Sequence, residues 1–433
     1  MKQAVIAVAC LARTTFDHEH AAGLYAKVRE CLQETPGMRF AFWEELVISP
    51  EEAQAAAETL AKECPDGLVL ISGTFHLGHL ALTFRKTVNA PILLWALPEP
   101  PPNGGKIRLN SVCGINLDAS NLYKAGADDY CCHAGPEIDA TWLGAVQMRA
   151  MLRNAHVGLA GYRADGFFNL SVSDTGLYEN CGVLVDHYEL SEVMQPGPGD
   201  FNIAALESIF DCGALNDTQR KKTADLANAL ERFMQTKQLD ALALRCWPEF
   251  ADLYGTSPCA AMSLLAEQGR IIGCEGDIEG TLTLLALRAI SRQPAFLADI
   301  SQIDAEQNSA LLWHCGVAAH GLWDEVSTRT LDTYFAGGRG VTAGFVLRPG
   351  PITVARIDTA RGETRLFVQY GEALPTAKEL TGTYVRARFE RPAEELLQLV
   401  TQTGLAHHVA LLYGDHRAAL RTFARIMGFA IIE

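Results

Sequence analysis

The sequence predicts an α/β fold, with two doubly wound, Rossmann-like α/β domains followed by a C-terminal β-rich, barrel-like domain. Three observations carry this. Short apolar runs alternate with helical periods through the first third of the chain. The alternation restarts at residue 156, and from residue 339 strands joined by tight turns replace it. At 433 residues the chain exceeds what one hydrophobic core accommodates, which fits a division into 1–155, 156–292 and 293–433.

In the first domain, "AVIAVACL" (4–11), "RFAFWEEL" (39–46), "GLVLIS" (67–72) and "APILLWAL" (90–97) read as strands. Helices are expected between them, at 51–64 and 80–88 for example. Strand–helix alternation at this spacing builds a parallel sheet. The proline cluster "LPEPPPNGG" (97–105) interrupts it as a surface loop. After a helical stretch at 139–155, strands are expected at "HVGLAGY" (156–162), "CGVLVDHYEL" (181–190), "DALALRCW" (240–247) and "RIIGCEG" (270–276). Helices are expected near 216–237 and 279–292. The segment 339–373 reads as strands joined by turns, "RPGP" being one, and "TYVRARFE" (383–390) adds another. Two helices close the chain at 393–404 and 415–427.

Composition narrows the function classes. A net charge of −15, from 51 acidic against 36 basic residues, argues against a nucleic-acid or anionic-membrane partner, since both reward a basic face. The twelve cysteines include no C-x-x-C pair, so most read as small buried hydrophobes in a reducing compartment. The opening "MKQAVIAVACLAR" reads as a first buried strand rather than an export signal, and no stretch is long and apolar enough to span a membrane. A cytoplasmic location is the resulting expectation. No G-x-G-x-x-G follows the first strand, and Walker, G-x-S-x-G and H-E-x-x-H motifs are absent.

The stretch "GRIIGCEGDIEG" (269–280) stands out. If "RIIGC" is a parallel strand, Glu275, Asp277 and Glu279 lie at its carboxyl end, where open α/β sheets place ligands. Asp277 and Glu279 precede a helical run and suit a helix N-terminus. Glu275 sits before any helix can use it, and a buried carboxylate there needs a cation or a proton. Asp299 ends another apolar stretch, "PAFLADI", and the tandem His407 and His408 open the apolar run "HHVALLYGDH". Two carboxylates and one imidazole with open positions suit Mn²⁺ or Mg²⁺ and a chelating substrate.

Taken in order, "RCWPEF" (245–250), "GTSPCAAMSLLAEQG" (255–269), "CEGDIEGTLT" (274–283), "FLADI" (296–300), "HCG" (314–316) and "HHVALLYGD" (407–415) resemble the L-fucose isomerase family. "SGTF" (72–75), "PEPP" (98–101) and "LNSVCG" (109–114) are compatible with that family's first domain. The resemblance implies a single Mn²⁺, or another divalent metal such as Mg²⁺ or Co²⁺. Its ligands would be Glu275 of a C-E-x-D motif, Asp299 and His408, with His407 standing where the family has Asn. It further implies aldose–ketose isomerisation through an enediol, Glu275 and Asp299 serving as base and acid in an order left open. A homo-oligomer, trimer or hexamer, follows from the same resemblance.

His314 either donates to a substrate hydroxyl or simply ends a strand. Trp247 either stacks on a sugar or packs in the core, and Asn110 is a candidate to border the site from the first domain, of the same or of a neighbouring subunit. The chain is shorter than L-fucose isomerases, so the sugar is left open, including a sulfonated or phosphorylated one for which Arg163 and Arg339 are available. The competing readings are a sugar-binding or regulatory protein, and an epimerase or aldolase using the same metal site.

Overall fold

The structure, a computed structural model, describes residues 3–291 and 293–433. The chain forms two compact units. One comprises the chain up to Met151 together with Ala418–Gly428, the other Leu152–Arg417 with Phe429–Glu433.

The first unit is built on a five-stranded parallel sheet. Its order is Met38–Val47, Ala4–Leu11, Gly67–Ser72, Ile92–Ala96 and Tyr130–Ala134. Strands covered on both faces carry unbroken apolar runs, and "GLVLIS" and "ILLWA" are buried along their whole length. Helices start where the local chemistry provides a cap. Ser49 and Glu52 form a reciprocal capping box ahead of Pro50–Ala61, with Pro50 at the first position, where its missing N–H costs nothing. The segment between Ala96 and Ser111, which holds the proline cluster, carries no helix or strand.

The second unit contains two sheets. A parallel sheet orders Leu184–Tyr188, His156–Ala160, Ala241–Leu244 and Ile271–Gly273. A nine-stranded sheet follows in the chain, and six of its strands close on themselves. Thr383–Phe389, Ser309–His314, Phe296–Asp304, His408–Tyr413, Gly350–Ala360 and Glu363–Ala373 pair antiparallel in that cyclic order, the last returning to the first. This is the barrel-like C-terminal architecture expected from the sequence. One continuous core runs through both sheets of this unit, from Leu242, Leu264 and Cys274 to Phe296, Val354 and Phe367.

The helix Ile278–Ile290 links the two sheets. Its sequence, "IEGTLTLLALRAI", is apolar nearly all round, and it is buried from Ile278 through Leu287, as a helix must be when sheets pack about it. Its polar members are accounted for locally. Thr281 and Thr283 bond back to the carbonyls of Asp277 and Glu279, and the Thr283 hydroxyl accepts the Ile357 N–H of the barrel.

Arg356, on the barrel strand Gly350–Ala360, is completely buried and reaches the first turn of this helix. It donates to both oxygens of Asp277 at 2.7 and 3.1 Å. Removing one member of a buried, hydrogen-bonded ion pair strands the other charge. Arg356→Met is therefore expected to cost about 3–5 kcal/mol, read as a large drop in the urea midpoint. A midpoint within a few tenths of a molar of wild type would show that the brace carries no such weight.

Candidate metal centre

The turn that holds Glu275 departs from ordinary backbone. Glu275 has φ +63°, in the left-handed region that non-glycine residues rarely adopt, and Gly276 follows at +71°. A Cβ on Gly276 would stand 2.3 Å from the Tyr162 carbonyl oxygen, and one on Gly273 would stand 1.9 Å from the Thr281 hydroxyl. These glycines let the turn nest between the segment 162–163 and the following helix. Glu275, by contrast, is a side chain retained at a position that penalises any side chain.

Asp277 caps that helix, accepting the Gly280 N–H at 2.9 Å. The same carboxylate meets Arg356 and also Nδ1 of His408 at 2.8 Å. Burial works against its charge, but the Arg356 guanidinium and then His408 outweigh that and hold Asp277 well below the usual carboxylate range. An ionised carboxylate only accepts, so Nδ1 of His408 carries a proton, and in the neutral ring Nε2 is the nitrogen left with a lone pair for a cation.

That lone pair points at carboxylates. Nε2 of His408 lies 3.4 Å from Oε2 of Glu275 and 3.5 Å from Oδ1 of Asp299. Asp299 and His408 are direct cross-strand neighbours, which sets their side chains on one face of the barrel wall. Both Nε2 of His408 and Oδ1 of Asp299 are buried without a hydrogen-bond partner. A cation on Nε2 of His408 would meet the Glu275 oxygen on one side and the Asp299 oxygen on the other, and it would satisfy the two atoms left without a partner. The residues present therefore fit a hard divalent metal, held by two carboxylates and an imidazole whose far nitrogen is fixed by a carboxylate.

His407 contributes as well. Its Nε2 lies 3.1 Å from Oε2 of Glu275, and its Nδ1 lies 3.0 Å from Nδ2 of Asn169. The amide nitrogen donates, so Nδ1 accepts and Nε2–H donates to Glu275. Glu275, His407 and His408 also form a possible ligand group of their own, as do Asp299, His314 and His408.

His314 is buried and stacks on His408 with ring centroids 5.3 Å apart. Its Nδ1 accepts the Cys315 N–H at 2.8 Å, leaving its proton on Nε2, which has no partner. Burial resists a second proton there, but the Cys315 sulfur, Asp299 and Glu275 outweigh it and push the pKa up to about 10.

Trp247 is partly buried and meets the edge of Phe167 at 5.9 Å, and Phe167 in turn meets His407 at 5.4 Å. Both Phe167 and Asn169 belong to the segment 161–171, which also donates the Ala164 N–H to the Glu275 carbonyl at 3.0 Å. This segment carries no recognisable motif, and only its approach in space to the turn holding Glu275 reveals it. On it, the Arg163 guanidinium lies over the rings of Tyr162 and Phe168, at 4.7 and 5.8 Å, and bonds to the hydroxyls of Tyr162 and Ser171. It forms no ion pair among the described residues, whereas Arg339 pairs with Asp252 at 2.9 Å and Arg245 with Glu249 at 2.7 Å. Asn110 lies in the other compact unit, at the head of Ser111–Lys124 in left-handed backbone, its N–H donated to Glu99.

Comparison with known proteins agrees on one relationship. Residues 314–433 match the C-terminal domain of L-fucose isomerase, and residues 5–139 match the N-terminal domain of fucose/sulfoquinovose isomerases. A sulfoquinovose isomerase of Priestia aryabhattai is 28% identical over 99% of this chain and 98% of its own length. One from Alkalicoccus urumqiensis is 28% identical over 98% of each chain. Among solved structures, a conserved domain protein of Vibrio cholerae aligns at 15% identity and a TM-score of 0.19. That alignment covers 58% of this chain and 76% of the other, and it is too weak to carry an argument.

Two outcomes follow from the charges around Asp277. Asp277→Asn keeps the helix cap but loses the carboxylate that fixes the His408 tautomer. It is expected to weaken divalent-metal affinity about 10–100-fold, measured by competition with a fluorescent chelator. Glu279 is the third carboxylate beside Arg356 and the worst placed, at 3.9 Å. Burial pushes its pKa from 4.5 up to about 7 against the opposing pull of Arg356. Between those values the folded state holds the extra proton, so stability falls as pH rises from 4.5 to 7. Glu279→Gln should flatten that slope and raise stability at pH 8 by roughly 3 kcal/mol. Denaturation curves with an unchanged slope would show that Glu279 is not the titrating group.

Proposed function

The chain belongs to the fucose/sulfoquinovose isomerase family. From that premise we propose that it is a divalent-metal-dependent aldose–ketose isomerase whose substrate is an open-chain aldose carrying a sulfonate. The observation that carries the metal dependence is the convergence of the His408 lone pair with the unpartnered oxygen of Asp299 and with Glu275. All donors are oxygen or nitrogen, and no sulfur joins the set, which suits Mn²⁺, Mg²⁺ or Co²⁺. When bound, such an ion would supply Lewis-acid polarisation of the sugar's C1 and C2 oxygens.

The protein's own groups then account for the proton movement. Glu275 and Asp299 stand on either side of the His408 nitrogen, and between them they take the proton from C2 and return it at C1. His407 donates to Glu275 and fixes its orientation, so this carboxylate loses little freedom on reaching the transition state. The Nε2–H of His314 is a donor without a partner and meets a sugar oxygen, where it stabilises the charge of the enediolate. Phe167 and Trp247 form an apolar wall that limits water beside the reacting carbons.

The sulfonate follows from two supports. Full-length relatives are sulfoquinovose isomerases. Arg163, free of any carboxylate among the described residues, stands on the segment that touches Glu275 and His407, in a chain of net charge −15. A planar guanidinium beside a hydroxyl suits an oxyanion at the sugar end remote from C1 and C2.

The test uses chelator-stripped protein in D₂O, with and without Mn²⁺, offered sulfonated and unsulfonated aldoses. Metal-dependent deuterium incorporation at C1 of the ketose or C2 of the aldose is expected, and Glu275→Gln should lower the rate by at least about 100-fold. Arg163→Ala should raise KM for the sulfonated sugar about tenfold or more, with a smaller effect on the unsulfonated one. No exchange with any aldose refutes the isomerase reading. Exchange that ignores the sulfonate in wild type and variant alike refutes the substrate assignment.

A further inference from the structure

Next to the carboxylate–histidine cluster lies a second group of potential ligands that the isomerisation does not use. Cys246, Cys259, Cys274 and Cys315 are each buried, and each stands at the end of a different element. Cys246 follows Ala241–Leu244, Cys259 opens the helix Cys259–Glu267, Cys274 follows Ile271–Gly273, and Cys315 follows Ser309–His314. Their sulfurs form a chain of contacts. Cys246 and Cys274 are 3.1 Å apart, and Cys259 and Cys315 are 3.3 Å apart. The sulfurs of Cys274 and Cys315 and a ring nitrogen of His314 all lie within 4.8 Å of one another, with Nδ1 of His314 3.1 Å from the Cys315 sulfur.

Core packing alone gives a weak account of this. A thiol is a poor donor and a poor acceptor, so four of them in contact gain little that alanine or valine would not supply. Convergence of several sulfurs and an imidazole from separate segments is the arrangement expected where a soft cation is held.

We propose that Cys274, Cys315 and His314 form a second metal site, selective for a thiophilic divalent cation of which Zn²⁺ is the type. Two thiolates and a neutral imidazole balance the charge of a dication, which a buried site requires. Binding releases the two thiol protons to solvent, forms two metal–sulfur bonds and one metal–nitrogen bond, and involves no change of oxidation state. The two neighbouring sites then sort cations by softness, with oxygen and nitrogen donors on one side of His314 and sulfur donors on the other. An ion in the thiol site takes Nδ1 of His314 away from the Cys315 N–H, and it anchors Cys274, the residue immediately before Glu275. Thiophilic cations therefore inhibit the isomerisation. This consequence rests on the isomerase reading, whereas the site itself does not.

Co²⁺ is the probe, because thiolate-to-cobalt charge-transfer absorption cannot arise from carboxylate and imidazole ligands. Reduced, chelator-stripped full-length protein is saturated with Mn²⁺ and then titrated with Co²⁺. The expected result is a thiolate charge-transfer band saturating at one ion per chain, with about two protons released, and displaced by Zn²⁺. Cys274→Ser and Cys315→Ser should each abolish the band, while Cys10→Ser, in the other unit, should keep it. Absence of the band in wild type overturns the proposal without reference to any variant. Its survival in Cys274→Ser overturns the ligand assignment. If the band forms but no sugar is isomerised under any condition, the thiol site stands and the isomerase reading falls.

Discussion

One carboxylate organises the second unit. Asp277 accepts from the Gly280 N–H, from two guanidinium nitrogens of Arg356 and from the His408 ring, so it serves a helix start, a barrel strand and the site histidine at once. In a buried, low-dielectric setting such a group is costly until every partner is in place, and strongly held afterwards. The tautomer of His408 is therefore a property of the folded core. The lone pair that faces Glu275 and Asp299 is fixed before any ligand arrives.

Around this anchor the three candidate side chains are delivered by two different devices. Asp299 and His408 owe their proximity to strand register, each sitting opposite the other in the barrel wall. A slip of either strand by one residue would turn its own member of the pair to the other face. Glu275 owes its position to a turn in left-handed backbone, packed under the carbonyl of Tyr162. Register is robust and distributed over many bonds, whereas the turn is local and strained. The site therefore joins a rigid half and a half held in place by its neighbours.

Much of this was legible in the sequence, and the reasons are specific. Unbroken runs such as "GLVLIS" marked strands covered on both faces, and the alternation with helices marked parallel sheets. The apolar run before Glu275 located a strand end, and "PAFLADI" and "HHVALLYGD" marked two further segments, now seen as adjacent strands. What stayed hidden depends on distance along the chain. "VARIDTA" reads as an ordinary strand, and nothing in it tells that Arg356 crosses to a helix start at Asp277. His407 read as a replaced Asn, although its ring reaches Glu275 and is steadied by Asn169. The four clustered cysteines have no informative spacing. Their convergence follows from where four elements happen to end, which periodicity does not record.

The nine-stranded sheet also has a bearing on how copies of the chain meet. Its central strands close on themselves, and its two margins are the three-residue strands Thr330–Asp332 and Ala430–Ile432. Stubs of that length offer a visiting strand only a few free backbone groups, too few to template its addition. Growth of the sheet from one molecule into the next is thus blocked at both ends. Any association between copies across this sheet must therefore be written in side chains.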